Sequence, residues 1–118
     1  MKVGIICIGD ELINGYTKDT NSSFISCQLR IYENLNVCNI FIVGDDYIQI
    51  SKNIDYFLKN KIDYIFITGG LGPTHDDLTK KVLCQYFNCK LKVNDDHYKK
   101  LLKKISSKNL KHLKSQAE

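Results

Sequence analysis

Apolar residues recur along this chain with two periods. Three short runs are almost continuously apolar and rich in β-branched residues: 2–8 ("KVGIICI"), 37–43 ("VCNIFIV") and 64–68 ("YIFIT"), followed respectively by Gly9, by Gly44 and by Gly69-Gly70. Runs of this form read as strands buried on both faces, which is the habit of a parallel sheet. Between them the spacing changes to that of a helix. Phe24, Ile25, Gln28, Leu29 and Tyr32 share one face of the first helical segment, which Thr20 or Asn21 can cap, and Ile50, Ile54, Phe57 and Leu58 share one face of the second. A third helix is predicted after Asp77 as far as about Phe87, with Leu78, Val82, Leu83 and Phe87 on one side. A short extended piece, "KLKV", leads to a fourth, capped by Asn94 or Asp95 and carrying Tyr98, Leu101, Leu102 and Ile105. Beyond Ile105 the pattern fades into a frayed helix or tail.

Strand, helix, strand, helix, strand, helix is the order of repeated βαβ units. It predicts a three-layer α/β/α domain with a mainly parallel sheet and right-handed crossovers. Ligands of such sheets lie beyond the carboxyl ends of the strands. Three polar loops, "GDELINGYTKDTN", "GDD" and "GGLGPTHDD", leave those ends.

With 118 residues, the chain has the length of one domain. Its 43% hydrophobic and 25% charged residues are ordinary for a globular fold. No apolar run approaches the roughly 18 residues of a membrane span, and the N-terminal segment lacks the arrangement of a signal peptide, so a cytoplasmic chain without a membrane partner is expected. The five cysteines include no Cys-x-x-Cys pair and read as reduced, buried small hydrophobes rather than zinc ligands. The net charge of +4 is concentrated in the lysines from Lys99 to Lys114. With Arg30 the sole arginine and little aromatic interleaving, that run reads as a solvated face, and no nucleic-acid partner is expected.

The chemistry sits in the loops. Gly69, Gly70 and Gly72 can adopt positive φ and turn amides inward, and Pro73 stiffens the exit, so that "TGGLGPTHDDLTKK" can make an anion nest at the start of a helix. Phosphate is the guest this suggests, and the adjoining Asp76 and Asp77 suggest a bridging divalent cation, most naturally Mg²⁺. The same string also suits a plain strand-to-helix turn in which Asp76 or Asp77 is an N-cap and Thr79 supports the first turn. Asp10-Glu11, Asp45-Asp46 and Asp76-Asp77 place three acidic pairs at strand ends, an arrangement that cations or hydroxyl groups would have to neutralise. Asp19, Thr20 and Asn21 add short polar groups suited to hydroxyl or amide recognition. His75 has no orienting partner in the sequence.

"IGDELINGYTKDTNSSFISCQL", "VGDD" and "TGGLGPTHDDLTKK" resemble, in order and spacing, the molybdopterin-binding (MoCF biosynthesis) domain family, and within it the N-terminal domain of the competence/damage-inducible, CinA-type proteins. The similarity spans about residues 3–105. It implies a phosphorylated small-molecule partner, either molybdopterin or an ADP-ribose-like nucleotide, and for CinA-type domains a metal-dependent hydrolysis of the ADP-ribose pyrophosphate. The candidate site is then Asp77 and Asp45 as catalytic residues, with Asp77 and Asp76 holding the metal. Gly69, Gly70, Gly72, Thr74, Thr79, Gly9, Asp10, Glu11 and Asn21 are the candidate ligand residues. Family domains run on into another strand and a Pro-Gly-rich loop that closes the pocket. A single domain over 1–118, incomplete at its C-terminal end, is therefore expected, and with it a non-catalytic binding domain as an alternative and self-association through the unfinished sheet edge.

Overall fold

The computed structural model describes residues 1–71 and 78–104. Their contacts fall into two compact units, Met1–Gly70 and Leu71–Glu118. The first holds β1 (Lys2–Ile8), α1 (Asp10–Ile13), α2 (Asn21–Leu29), β2 (Asn36–Val43), α3 (Tyr47–Lys59) and β3 (Tyr64–Gly69). The second holds α4 (Leu78–Tyr86) and α5 (Asp95–Lys104).

The strands lie in the order β2-β1-β3, and both pairings are parallel. The sequence runs predicted as strands are the strands, with one residue added at the start of β2 and one at the end of β3. β1 is central, which explains its composition: from Val3 to Ile8 every residue is buried. Alternation along β1 then divides the core between two faces. Val3, Ile5 and Cys7 form one buried cluster, against which Ile25 and Leu29 of α2 pack together with Leu12, Leu35 and Val37. Gly4 faces the other way. A Cβ built there would stand 2.6 Å from Cζ of Phe57, so the absent side chain is what lets α3 lie against the strand. Phe41 stacks on Phe57 at 5.0 Å between ring centroids and meets Tyr56 edge-on at 5.3 Å. With α2 on one face and α3 on the other, the first unit has the three layers expected.

Helix α3 follows its periodicity closely. Asp46 caps it by accepting from the Ile48 amide at 2.9 Å, and Ile50, Ile54 and Phe57 are all fully buried. Leu58, expected on the same face, is 48% exposed because it lies about a third of a turn round from Phe57. The apolar face expected for α2 needs a larger correction. The helix ends at Leu29, which leaves Tyr32 in the following turn, and Phe24 points outward. Its inward stripe is Ser22, Ile25 and Leu29, a spacing of three and four. Neither Thr20 nor Asn21 caps it through a side chain; Asp19 does, its carboxylate accepting from the Ser22 amide at 3.1 Å and from the Ser22 hydroxyl.

In the second unit Thr79 and Val82 are the buried residues of α4, while Phe87 falls past its end and is exposed. Asn94 caps α5, accepting from the His97 amide at 3.0 Å. "KLKV" is in no strand, Tyr98 and Leu101 are half-buried and Leu102 is exposed. Ile105 and the segment after it, read as a frayed helix or tail, lie outside the described residues. The burial expected for all five cysteines is found for only part of them. Cys7 is buried on β1 and Cys84 is half-buried, but Cys27, Cys38 and Cys89 are exposed. Among the described residues no helix is long and apolar enough to cross a membrane.

Candidate functional site

The carboxyl ends of β1 and β3 are adjacent because Ile8 pairs with Gly69 and Cys7 with Thr68. A cavity of about 130 Å³ opens there. Its walls are the end of β1 (Cys7, Ile8), one side of α1 (Glu11, Leu12), the run Thr17 to Asn21 leading into α2, and Thr68-Gly69 of β3. This volume accommodates a phosphate or a comparable polar head rather than a whole nucleotide, whose pockets run to several hundred Å³.

The segment "GDELINGYTKDTN", read as one loop, contains a helix. Asp10 to Ile13 form α1, since Gly9 turns the chain out of β1 and its carbonyl accepts from the amides of Leu12 and Ile13. Asp10 and Glu11 therefore occupy the first turn of a helix, where the dipole favours negative charge without any cation. Asp10 also faces Asp45. The Asp45 amide donates to Asp10 Oδ1 at 2.9 Å, and the Asp10 amide approaches Asp45 Oδ2 at 3.4 Å. Each carboxylate thus meets the other's backbone, and Asp46 is occupied as the cap of α3. Of these four carboxylates, Asp10, Asp45 and Asp46 therefore each meet a backbone amide, a kind of partner the sequence reading did not anticipate. Among the described residues no three His, Cys, Asp or Glu side chains converge as metal ligands.

Gly69 begins the glycine turn and is fixed by two constraints. Its φ is +90°, and a Cβ there would stand 1.9 Å from the carbonyl oxygen of Ile8. Gly70 continues the positive-φ run at +62°. Two consecutive residues of this kind, the first of them lining the cavity, give the turn the backbone conformation in which anion nests are found. Opposite them, Asn21 donates from Nδ2 to Thr68 Oγ1 at 2.9 Å, joining the start of α2 to the end of β3.

Of the residues singled out in the sequence, Glu11, Asp19, Thr20, Asn21 and Gly69 line the cavity. Gly9, Asp10 and Asp45 stand at the neighbouring strand ends and Gly70 is next along the turn. Thr79 is buried on α4 in the second unit. Gly72, Pro73, Thr74, His75, Asp76 and Asp77 lie outside the described residues. Sequence reasoning passed over Cys7, Thr17, Lys18 and Thr68, all of which line the cavity. Thr68 carried a usable signal, being the polar end of an apolar strand directly before two glycines. Cys7 carried none beyond its strand.

Two perturbed groups stand side by side here. Burial, followed by the charge of Asp19, pushes the Cys7 thiol up to about 11. Burial alone would raise the Asp19 carboxyl, but the hydrogen bonds it accepts from the Ser22 hydroxyl and amide outweigh that and hold it below its ordinary 3.8. Cys7 is thus a protonated, poorly nucleophilic thiol at neutral pH.

Comparison with known proteins agrees with this geometry. The model of the family described as "Probable molybdopterin binding domain" matches residues 4–113. A CinA-like protein of Flavobacterium psychrophilum is 46% identical over 95 residues, which are 80% of this chain and 22% of that protein. A CinA-like protein of Fusobacterium nucleatum is 42% identical over 107 residues, 91% of this chain and 26% of the other. The chain spans about a quarter of the length of these relatives. Among solved structures, the CinA protein of Thermoplasma acidophilum superposes with a TM-score of 0.76 at 28% identity, covering 94% of this chain and 66% of that one. The molybdopterin biosynthesis enzyme MoaB of Thermus thermophilus shares the fold, with a TM-score of 0.66 at 19% identity over 97% of this chain and 70% of that one. By sequence and by fold alike, the chain belongs to the molybdopterin-binding (MoCF biosynthesis) domain family, in its CinA-like form.

Proposed function

We propose that this domain binds a phosphorylated small molecule, a pterin or a nucleotide, with a phosphate on the Gly69-Gly70 turn and the adjoining polar group in the cavity between α1, α2 and β3. The observation that carries this reading is the pair of positive-φ glycines at the mouth of a small polar cavity beyond the carboxyl ends of parallel strands. The amides of such a glycine turn favour negative charge at one end of the ligand. Thr17, Thr20 and Thr68 supply hydroxyl groups for the other. The family name and the MoaB structures support the pterin; the nucleotide rests on the resemblance of the sequence motifs to CinA-type domains.

The described residues support binding. Hydrolysis of an ADP-ribose-type pyrophosphate belongs to the same proposal through Asp77 and Asp76, both outside the described residues, which would hold Mg²⁺ and so supply the Lewis acid for water attack. Calorimetric titration of the chain with ADP-ribose and with a pterin monophosphate, each with and without Mg²⁺ and with product analysis, tests it. Saturable binding of either probe that Gly70→Val weakens without unfolding the chain is expected. Binding unaffected by that substitution, or no binding of either probe, overturns the reading.

A further inference from the structure

We infer that Asn21 and Thr68 form a strut that positions the glycine turn, so that Asn21 acts through Thr68 and not on the ligand itself. The inference rests on the binding reading above for its functional consequence, but its geometry stands alone. Asn21 is the first residue of α2, and its Nδ2 reaches across 47 positions of sequence to Thr68 Oγ1 at 2.9 Å. That distance is ideal for an amide-to-hydroxyl hydrogen bond.

Both ends of the strut are held independently. The first turn of α2 is fixed by the Asp19 carboxylate, which accepts from the Ser22 amide and hydroxyl, and Ser22 is itself buried. Thr68 is fixed in the ladder opposite Cys7, the next pair being Gly69 opposite Ile8. Behind Gly69 the Ile8 carbonyl leaves no room for a side chain, since a Cβ would stand 1.9 Å from its oxygen. The entry to the turn is therefore clamped, with β1 on one side and the start of α2 on the other. A site that must present amides to an oxygen gains from such support, because displacement of a binding group by about 1 Å can cost as much as a hundredfold. Asn21 lines the cavity, yet one N–H of its carboxamide is already engaged inside the protein.

The test uses the full chain and five proteins: wild type, Asn21→Ala, Thr68→Val, the double variant and Thr68→Ser. Valine keeps the β-branched shape and removes the acceptor; serine keeps the acceptor. Amide hydrogen exchange at Gly69 and Gly70 is read by NMR without ligand, and affinity is then measured with inorganic phosphate and with ADP-ribose. A strut predicts faster exchange at these glycines in both single variants, no further increase in the double variant, and near-wild-type behaviour in Thr68→Ser. Phosphate affinity falls in parallel, about fivefold to tenfold, the worth of one hydrogen bond. Unchanged exchange in Asn21→Ala, or additive effects in the double variant, overturns the strut. If Asn21→Ala alone loses affinity while the turn exchanges as in wild type, Asn21 is a direct ligand contact and the strut is wrong. If exchange behaves as expected but even wild type binds neither probe, the strut stands and the binding reading falls.

Discussion

Replacing Gly69 by alanine tests the junction of β1, β3 and the glycine turn, and Gly15 provides its control. Both residues have positive φ, +90° and +78°, but a Cβ at Gly15 meets nothing within 4 Å whereas one at Gly69 would stand 1.9 Å from the Ile8 oxygen. Gly15→Ala therefore carries only the conformational penalty, about 1–2 kcal/mol for a left-handed residue, partly offset by about 0.4–1 kcal/mol of lost unfolded-state freedom. Gly69→Ala carries the same penalty plus the separation of two hydrogen-bonded strands, which as overpacking adds about 1–3 kcal/mol or more. The oxygen it meets is backbone and has no rotamer to relieve the overlap. The expected loss is on the order of 3 kcal/mol for Gly69→Ala against about 1 kcal/mol for Gly15→Ala. Urea unfolding followed by far-ultraviolet circular dichroism, with m-values compared to verify that the transitions are equivalent, reads the difference. Equal losses in the two variants would refute the reasoning: Gly69 would then be required for its φ alone, and the close approach of β3 to β1 would count for nothing.

Two further outcomes follow from the groups beside the cavity. At pH 8, iodoacetamide should label Cys27, Cys38 and Cys89 and leave Cys7 untouched until the chain unfolds, because Cys7 is buried and its thiol is raised to about 11; peptide mass mapping that finds Cys7 labelled as fast as Cys38 would count against this. A raised folded-state value also means that stability attributable to Cys7 is present below about pH 9, the ordinary thiol value, and is lost as pH rises to about 11. Asp19→Ala should cost about 0.5–2 kcal/mol at pH 7 through the lost cap of α2. Since the Asp19 carboxyl is held below 3.8 in the fold, its contribution is present above that pH and disappears as pH falls through the lowered value, so wild type and variant should converge in acid. A constant gap between them down to pH 2 would show that the charge of Asp19 is not what caps the helix.

The sequence by itself determined the sheet, the approximate extents of most helices and the end of the sheet at which ligand chemistry gathers. Apolar runs such as 2–8 and 64–68 have few ways to be satisfied other than as buried parallel strands, and the glycines that end them mark the exits. The "TGGLGPTHDDLTKK" string carried the family because its spacing is a property of the chain, requiring no contact to be read. What only the tertiary structure decided was the partnership of side chains. Sequence order gives the identity of Asp10, Asp45 and Asp46 but not their neighbours, and the fold sets a backbone amide against each of these three carboxylates. Asn21 looked like a helix cap or a ligand group, yet Asp19 is the cap and Asn21 reaches Thr68, 47 residues away. Periodicity is a local property and survives in the sequence. Hydrogen bonds between loops that meet only after the sheet has formed are not local, and which donor finds which acceptor depends on the register that sets Ile8 beside Gly69.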